Sequence, residues 1–214
     1  MRPFDMNAGY EPAEIPLLIA IEIQREHTTL GRPYFMEGTD ESLENCRAVL
    51  THAREKNWSI AHVRHEQPGS IFGQSHAATQ FVKGFEPLPH EHLFTKGNFS
   101  CYSNPGFEQF METSRPEQVY LIGYSSLMCC LSTIVEGYHR GHELSFVTDA
   151  SLARATPNAQ RPTPNAEEKT AHMHATHIIS FYAFLVETSE VLGDAFRGFT
   201  TYRDLPVAEA QRAM

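Results

Sequence analysis

Basic residues are scarce in this chain. Lysines and arginines number 17 against 26 aspartates and glutamates, so the formal net charge is −9 over 214 residues. The basic residues are scattered along the sequence and form no cluster. Nucleic acids and anionic membranes bind grouped lysines and arginines, because both carry dense negative charge. We therefore expect neither nucleic acid nor a membrane among the partners.

Long hydrophobic runs are also missing. The longest, IPLLIAIEI at residues 15–23, is interrupted by Glu22 and is far shorter than the roughly 20 apolar residues of a membrane-spanning helix. Residues 1–14 lack the apolar stretch of a secretion signal, which favours a cytoplasmic location. The chain has only four cysteines, and we expect free thiols because disulfides are rare in a reducing compartment.

The composition that is present is typical of a folded domain. Hydrophobic residues make up 41% of the chain and charged residues 20%, enough apolar content to offset the entropy of ordering. The length suits one domain with a sizeable core. We expect a single domain over residues 1–214, with 1–14 and 198–214 as peripheral arms and 153–165 as a proline-rich loop.

Short apolar runs alternate with segments of helical periodicity. Strands are predicted at 15–23, 58–63, 91–95, 118–123, 143–149 and 183–188. Helices are predicted at 40–57, 105–115, 126–140, 166–182 and 189–196. Such alternation predicts an α/β fold of three layers, α/β/α, around a mostly parallel sheet of about six strands. The nearly continuous apolar run at 15–23 predicts a central strand that is covered on both faces.

Three reactive side chains stand at predicted strand ends. Glu22 lies inside the end of the first strand, Lys96 just after the third, and Cys129 in the first helical turn after the fourth. Ligands of open α/β sheets bind at the carboxyl ends of strands, so these side chains are expected to converge. A helix N-terminus and a nearby lysine would lower the pKa of the Cys129 thiol below its ordinary value.

Two interpretations of these residues remain open. A cysteine in a helical turn is more often a buried packing residue than a nucleophile. Glu22 and Lys96 would equally form a structural ion pair, since a carboxylate inside an apolar strand must be paired or protonated.

Longer segments carry a family resemblance. LLIAIEIQ, FTKGNFSCYSNPGF, YLIGYSSLMCCLST, YHRGHELSFVTDAS and FLVETSEVL, in this order, resemble the isochorismatase-like cysteine hydrolase superfamily from about residue 15 to 192. The resemblance implies Cys129 as the nucleophile, six residues after Gly123, and leaves Cys130 as a packing residue. It also implies Lys96 as the catalytic lysine, and a homo-oligomer.

The same resemblance implies a non-proline cis peptide bond between Tyr124 and Ser125. The N–H groups of Ser125 and Cys129 would then form an oxyanion hole. One departure concerns the acid/base aspartate of the family, which is Glu22 here, while Gln24 is retained. Glutamate keeps the proton-transfer capacity but reaches one methylene farther, so it fits either a reshaped site or a degraded one.

The order of strands and loops also indicates where substrate would bind. The loops after the strands supply the candidate substrate-binding residues Gln24, Tyr34, Phe35, Phe99, Tyr102 and Met128. Aromatic walls suit a small, planar or partly apolar molecule.

Some members of the superfamily, the nicotinamidases, bind a metal through an Asp-x-His…His cluster. His62, His65 and His76 occur in the corresponding segment, but the leading aspartate of that pattern is missing. We expect no metal and no other cofactor.

The predicted function is metal-independent hydrolysis of a C–N amide or ureide bond in a small molecule, through a thioester on Cys129. Vinyl ether hydrolysis of the isochorismatase type, which uses the acid residue without a cysteine nucleophile, is one alternative. A non-catalytic binding protein of the same fold is the other.

Overall fold

A computed structural model describes residues 15–69, 71–116, 118–154 and 164–193. Both predicted arms, and residues 155–163 of the predicted proline-rich loop, lie outside these ranges. The single-domain organisation of the whole chain stays a prediction.

Six parallel strands form one sheet in the order β3-β2-β1-β4-β5-β6. They are β1 (Leu17–Ile21), β2 (Ser59–His65), β3 (His92–Lys96), β4 (Val119–Tyr124), β5 (Ser145–Leu152) and β6 (Phe184–Val186). The predicted parallel sheet of six strands is confirmed, and β1 lies at its centre between β2 and β4.

Helices cover both faces of this sheet. They are α1 (Arg25–Thr28), α2 (Thr39–Glu55), α3 (Pro105–Ser114), α4 (Leu131–His139), α5 (Pro164–Ile179) and α6 (Thr188–Leu192). Side chains of α2 and α6 enter one hydrophobic cluster, and those of α3, α4 and α5 enter the other. This is the predicted three-layer arrangement. None of the helices within the described ranges is long and apolar enough to cross a membrane.

The apolar run of β1 is explained by burial on both sides. Leu18 and Ala20 belong to the cluster under α2, whereas Leu17, Ile19 and Ile21 belong to the cluster under α3 and α4. Successive residues of a strand point to opposite faces, so a strand covered on both faces is apolar throughout.

The end of β1 differs from the prediction. The strand stops at Ile21, so Glu22 lies just beyond it and not inside it, in the left-handed region with φ +48°. Its N–H still donates to the carbonyl of Val63 at 2.7 Å. The turn at Glu22 redirects the chain into α1, and it places the carboxylate at the edge of the sheet.

β4 leads into the second functional segment. The peptide bond between Tyr124 and Ser125 is cis, where the resemblance places one, and a π-helical turn at Ser126–Cys130 follows. The predicted helix therefore begins as a wider turn before it continues as α4. The Ser125 carbonyl accepts hydrogen bonds from the N–H groups of Met128 (3.0 Å) and Cys130 (3.1 Å), but not from the N–H of Cys129 between them.

Gly123 allows β4 to approach β1 closely. Its φ is +110°, and a Cβ atom there would lie 2.0 Å from the carbonyl oxygen of Ile21. A side chain at this position would displace the central strand next to Glu22. Gly141, after α4, also has a left-handed angle, φ +85°, but no atom lies within 4 Å of the position that a Cβ atom would take there. Gly141→Ala would therefore lose stability only through the backbone angle.

We predict that Gly123→Ala destabilises the protein far more than Gly141→Ala. The control should lose about 1–2 kcal/mol, the cost of a left-handed angle for alanine. Gly123→Ala adds a clash with backbone and should lose roughly 3 kcal/mol or more. Urea unfolding followed by circular dichroism measures both losses, and equal losses in the two variants would contradict the close approach.

Candidate active site

A cavity of about 260 Å³ opens at the carboxyl edge of the sheet. Six of its lining residues lie at or beyond the ends of β1 and β2, namely Glu22, His27, Tyr34, His65, Gln67 and Phe72. The other six follow β3 and β4, namely Gly97, Asn98, Phe99, Ser125, Met128 and Cys129. Four neighbouring strands thus each contribute three residues, which agrees with the position expected for a ligand site in a parallel sheet.

Glu22 and Lys96 form a buried ion pair beside this cavity. The Lys96 Nζ donates a short hydrogen bond to Glu22 Oε1 and a second one of 2.8 Å to the Asn98 carbonyl. Lys96 was predicted to follow β3, but it is the last residue of that strand. Its side chain is completely buried and that of Glu22 is 2% exposed.

The pairing fixes the charge of both groups. Burial alone would raise the pKa of the Glu22 carboxyl, but Lys96 together with His27 and His65 outweighs burial and lowers the pKa to about 2. Burial likewise would lower the pKa of Lys96, and the Glu22 carboxylate raises it instead. At neutral pH the pair therefore consists of an ammonium and a carboxylate.

Two histidines complete the surroundings of Glu22. His27 Nε2 lies 3.4 Å from Glu22 Oε2, and His65 Nδ1 lies 3.7 Å from Glu22 Oε1. His65 Nε2 faces Gln67 Oε1 at 3.3 Å and its Nδ1 faces Lys96 Nζ at 3.5 Å. The tautomer that satisfies both neighbours carries its proton on Nε2. Burial, aided by Lys96, lowers the pKa of His65 and keeps this ring neutral.

Cys129 faces the same carboxylate from the π-helical turn. Burial raises the pKa of its thiol well above the ordinary value, and the negative charge of Glu22 raises it further, against a smaller lowering by Lys96. The expected low pKa of Cys129 is therefore wrong. Lys96 is already paired with Glu22, and its effect on the pKa of Cys129 does not offset burial. The resting thiol is therefore neutral and forms a hydrogen bond with Glu22.

The backbone around Cys129 is held firmly. Thr133 Oγ1 donates to the Cys129 carbonyl at 2.7 Å and accepts the N–H of Cys101 at 3.0 Å. Ser125 lines the cavity, and its hydroxyl accepts the N–H of Arg154 at 3.2 Å. The oxyanion hole of Ser125 and Cys129 stays a prediction. Cys130 is fully buried in the core below the turn, as expected of a packing residue.

Three of the six predicted substrate-binding residues line the cavity: Tyr34, Phe99 and Met128. Gln24 does not, because its amide ties β1 to β2. Its oxygen accepts the N–H of His65 at 2.7 Å, and its nitrogen donates to the carbonyls of His65 (3.0 Å) and Thr79 (2.6 Å).

Phe35 and Tyr102 are also not among the lining residues. Phe35 is half-buried outside the cavity. Tyr102 is a core residue, 3% exposed, whose ring packs edge-on against Phe107 at 5.1 Å and lies under the guanidinium of Arg140. An aromatic residue in a loop packs equally well inward or along a cavity, so the sequence did not separate these outcomes.

The three histidines in the segment that corresponds to the metal cluster of nicotinamidases point in different directions. His62 binds Glu91 at 2.8 Å on the α2 side of the sheet, whereas His65 lines the cavity. His76 Nδ1 accepts the N–H of Ala78 at 3.0 Å. Over the described ranges, no three His, Cys, Asp or Glu side chains are grouped as metal ligands.

Sequence reasoning missed His27 and Phe72 as cavity residues. His27 lies in a four-residue helix with no periodic pattern, and Phe72 lies in a loop. Neither position carries a local signal of its role.

Comparisons with known proteins agree with this arrangement. The family model described as Isochorismatase domain matches residues 16–177. The secreted isochorismatase effector Isc1 of Verticillium dahliae is 25% identical over 143 residues, which cover 66% of this chain and 74% of the relative. The superfamily resemblance seen in the sequence is confirmed.

Solved structures show the same fold. An isochorismatase from Pseudomonas putida KT2440 superposes with a TM-score of 0.70 at 25% identity, covering 88% of this chain and 98% of that one. A cysteine hydrolase from Pseudomonas syringae pv. phaseolicola has a TM-score of 0.74 at 15% identity, covering 85% and 93%. At the lower identity the likeness concerns the fold alone.

We predict that the Cys129 thiol titrates above the ordinary value of about 8.5, and that Glu22→Gln lowers its midpoint. Glutamine removes the negative charge that opposes the thiolate and leaves Lys96 unneutralised. The expected fall is about one pH unit or more. The measurement is the pH dependence of alkylation, with peptide mass spectrometry to assign each cysteine.

Cys46 is the internal control. Burial raises its pKa too, but its charged neighbours are Asp149 and Arg47, so its midpoint should not follow Glu22. A wild-type Cys129 midpoint below the ordinary thiol value, or one that rises in Glu22→Gln, would contradict the electrostatics of the site.

Proposed function

The chain belongs to the isochorismatase family of hydrolases, since the family match covers most of its length, and we propose that it is a cysteine hydrolase of small molecules. The bond cleaved is a C–N amide or ureide bond, by the metal-independent route that the sequence predicts. Cys129 is the nucleophile and a thioester is the intermediate. The formation of a homo-oligomer stays a prediction.

One observation carries this proposal. The thiol of Cys129 and the carboxylate of Glu22 line one cavity, and Lys96 is paired with that carboxylate. A nucleophile, a proton acceptor and a cation in contact are the groups that acyl transfer requires. A structural ion pair alone would not need a thiol at its open side.

The first step pairs proton transfer with bond formation. Glu22 takes the proton of the Cys129 thiol while the sulfur attacks the substrate carbonyl carbon. The thiol is a much weaker acid than the Glu22 carboxyl, so a free thiolate is not formed beforehand. The negative charge passes to the carbonyl oxygen, which the N–H groups of Ser125 and Cys129 would stabilise.

The following steps return the enzyme to its resting state. Protonated Glu22 gives its proton to the leaving nitrogen as the C–N bond breaks, which leaves a thioester on Cys129. Glu22 then takes a proton from water, whose oxygen attacks the thioester carbon. The C–S bond breaks, and the sulfur regains a proton from Glu22. Lys96 holds Oε1 of the carboxylate throughout.

The walls of the cavity indicate the kind of substrate. Tyr34, Phe72, Phe99 and Met128 supply apolar surface, while Asn98 supplies a polar group. The volume of about 260 Å³ lies at the lower limit for ligand pockets, which span about 300–1,000 Å³. A compact, partly apolar amide or ureide fits this description.

Vinyl ether hydrolysis is the second candidate, favoured by the name of the Verticillium relative. That reaction requires a proton donor at the outset. Glu22, with a pKa lowered to about 2, holds no proton at neutral pH until it has taken one from Cys129. The charge state of the site therefore supports amide chemistry more strongly.

We predict that Cys129→Ala abolishes amide or ureide turnover, by at least about a thousandfold, while Cys130→Ala retains most of it. Cys130 is the matched control because it is the adjacent cysteine, is fully buried and does not line the cavity. Turnover is measured on a panel of small amides, ureides and vinyl ethers, with circular dichroism to verify folding.

Amide turnover that survives in folded Cys129→Ala would contradict covalent catalysis. Vinyl ether cleavage that survives in that variant but is lost in Glu22→Gln would favour the second candidate instead. An absence of turnover on every class, together with tight ligand binding, would favour a binding protein.

A further inference from the structure

His27 is a buried histidine to which the mechanism above gives no role. It lies in α1, five residues after Glu22, and is 2% exposed. Its ring packs among Phe72 (5.5 Å between centroids), Tyr124 (5.6 Å) and Tyr34 (6.3 Å). A polar ring enclosed by aromatic side chains is costly unless its nitrogens are hydrogen-bonded.

Both nitrogens of His27 face oxygen acceptors. Nδ1 lies 3.4 Å from the Tyr34 carbonyl and Nε2 lies 3.4 Å from Glu22 Oε2. A carbonyl oxygen and an ionised carboxylate can only accept hydrogen bonds. The contact with Glu22 thus requires an N–H on Nε2, directed at the carboxylate.

The two oxygens of Glu22 consequently have different partners. Lys96, at the end of β3, holds Oε1, and His27, in α1, holds Oε2. A carboxylate bonded at both oxygens is fixed in rotation as well as in position. One donor alone would leave the plane of the carboxylate free to turn about the bond to Lys96.

We propose that His27 is a positioning residue that clamps the second oxygen of Glu22, so that the carboxylate stays ionised and aimed at the Cys129 thiol. The inference rests on the proposed function, in which Glu22 carries the proton. It explains why a histidine is buried in an aromatic cluster at this edge of the cavity.

The titratable groups around Glu22 determine the expected direction of its pKa shift. Lys96 faces it from β3, His65 from β2, His27 from α1 and the Cys129 thiol from the π-helical turn. Lys96, His27 and His65 all lower the pKa of Glu22. Loss of the His27 donor should therefore raise the pKa of Glu22, while the remaining partners keep it below that of an isolated buried carboxyl.

Three variants separate the clamp from simple packing. His27→Phe keeps a ring for the aromatic cluster but removes the N–H donor to Glu22. His27→Gln keeps an N–H donor near the position of Nε2. Phe72→Leu is the matched control, because it disturbs the same cluster without removing a hydrogen bond to Glu22. If His27→Phe does not fold, His27→Met replaces it, since methionine fills irregular space.

The first measurement is the titration of the Glu22 side-chain carbon by NMR with ¹³C-labelled glutamate, which requires no substrate. The midpoint should rise by about one pH unit in His27→Phe, remain near the wild-type value in Phe72→Leu, and rise less in His27→Gln. The second measurement is the pH dependence of kcat. Its acid limb should move upward in His27→Phe, with kcat lowered about tenfold or more and KM nearly unchanged.

A midpoint in His27→Phe that is no higher than in the wild type, or that lies below the pH range of the folded protein, overturns the proposal. An equal rise in Phe72→Leu overturns it too, because packing would then explain the effect. Since the NMR titration is independent of turnover, failure of the clamp and failure of the proposed hydrolysis are distinguished: a wild type that cleaves no panel substrate affects only the latter.

Discussion

A single buried carboxylate is the constraint on which the arrangement of this site depends. Glu22 is 2% exposed at the end of the central strand, and an ionised group there costs several kcal/mol unless it is paired. Lys96 at the end of β3 supplies the opposite charge and His27 in α1 supplies an N–H donor, while the neutral His65 ring at the end of β2 lies beside them. The ends of β1, β2 and β3 must therefore meet closely, and the Gln24 amide that joins β1 to β2 supports the same meeting point.

The pairing has a consequence for the nucleophile. Burial and the negative charge of Glu22 raise the pKa of the Cys129 thiol by more than Lys96 lowers it, so the thiol rests in its neutral form. Neutral thiols react slowly with oxidants and alkylating agents. Reactivity then develops only when a carbonyl group is present to accept the negative charge, which confines the chemistry to bound substrate. The Glu22 carboxylate takes part in both pKa shifts: Lys96 helps to lower the pKa of Glu22 to about 2, and the negative charge of Glu22 adds to burial in raising the pKa of Cys129.

Much of the fold follows from local pattern. The apolar runs predicted the inner strands β1, β2, β4 and β5, because strands covered on both faces are mostly apolar, and shorter patterns predicted the partly exposed edge strands β3 and β6. Glu22, Lys96 and Cys129 were candidates because side chains at the ends of parallel strands meet at one edge of the sheet, and the family resemblance gave them their roles. Strand ends were predicted less accurately. Glu22 lies one residue outside β1 because its left-handed backbone angle ends the strand, and that angle leaves no trace in the sequence. The cavity position of His27, the inward packing of the Tyr102 side chain and the pKa of Cys129 all depend on residues that are far apart in the chain. A balance between burial and neighbouring charges exists only in three dimensions.

The most direct test of the account is to trap the acyl-enzyme. Wild-type protein is mixed with an amide or ureide substrate, quenched in acid within milliseconds to seconds, and digested for peptide mass spectrometry. The account predicts an added acyl mass on Cys129, formed before product accumulates and absent from Cys130. Turnover with no adduct on Cys129 at any quench time, and with no hydroxamate formed when hydroxylamine is added to intercept the thioester, would contradict it.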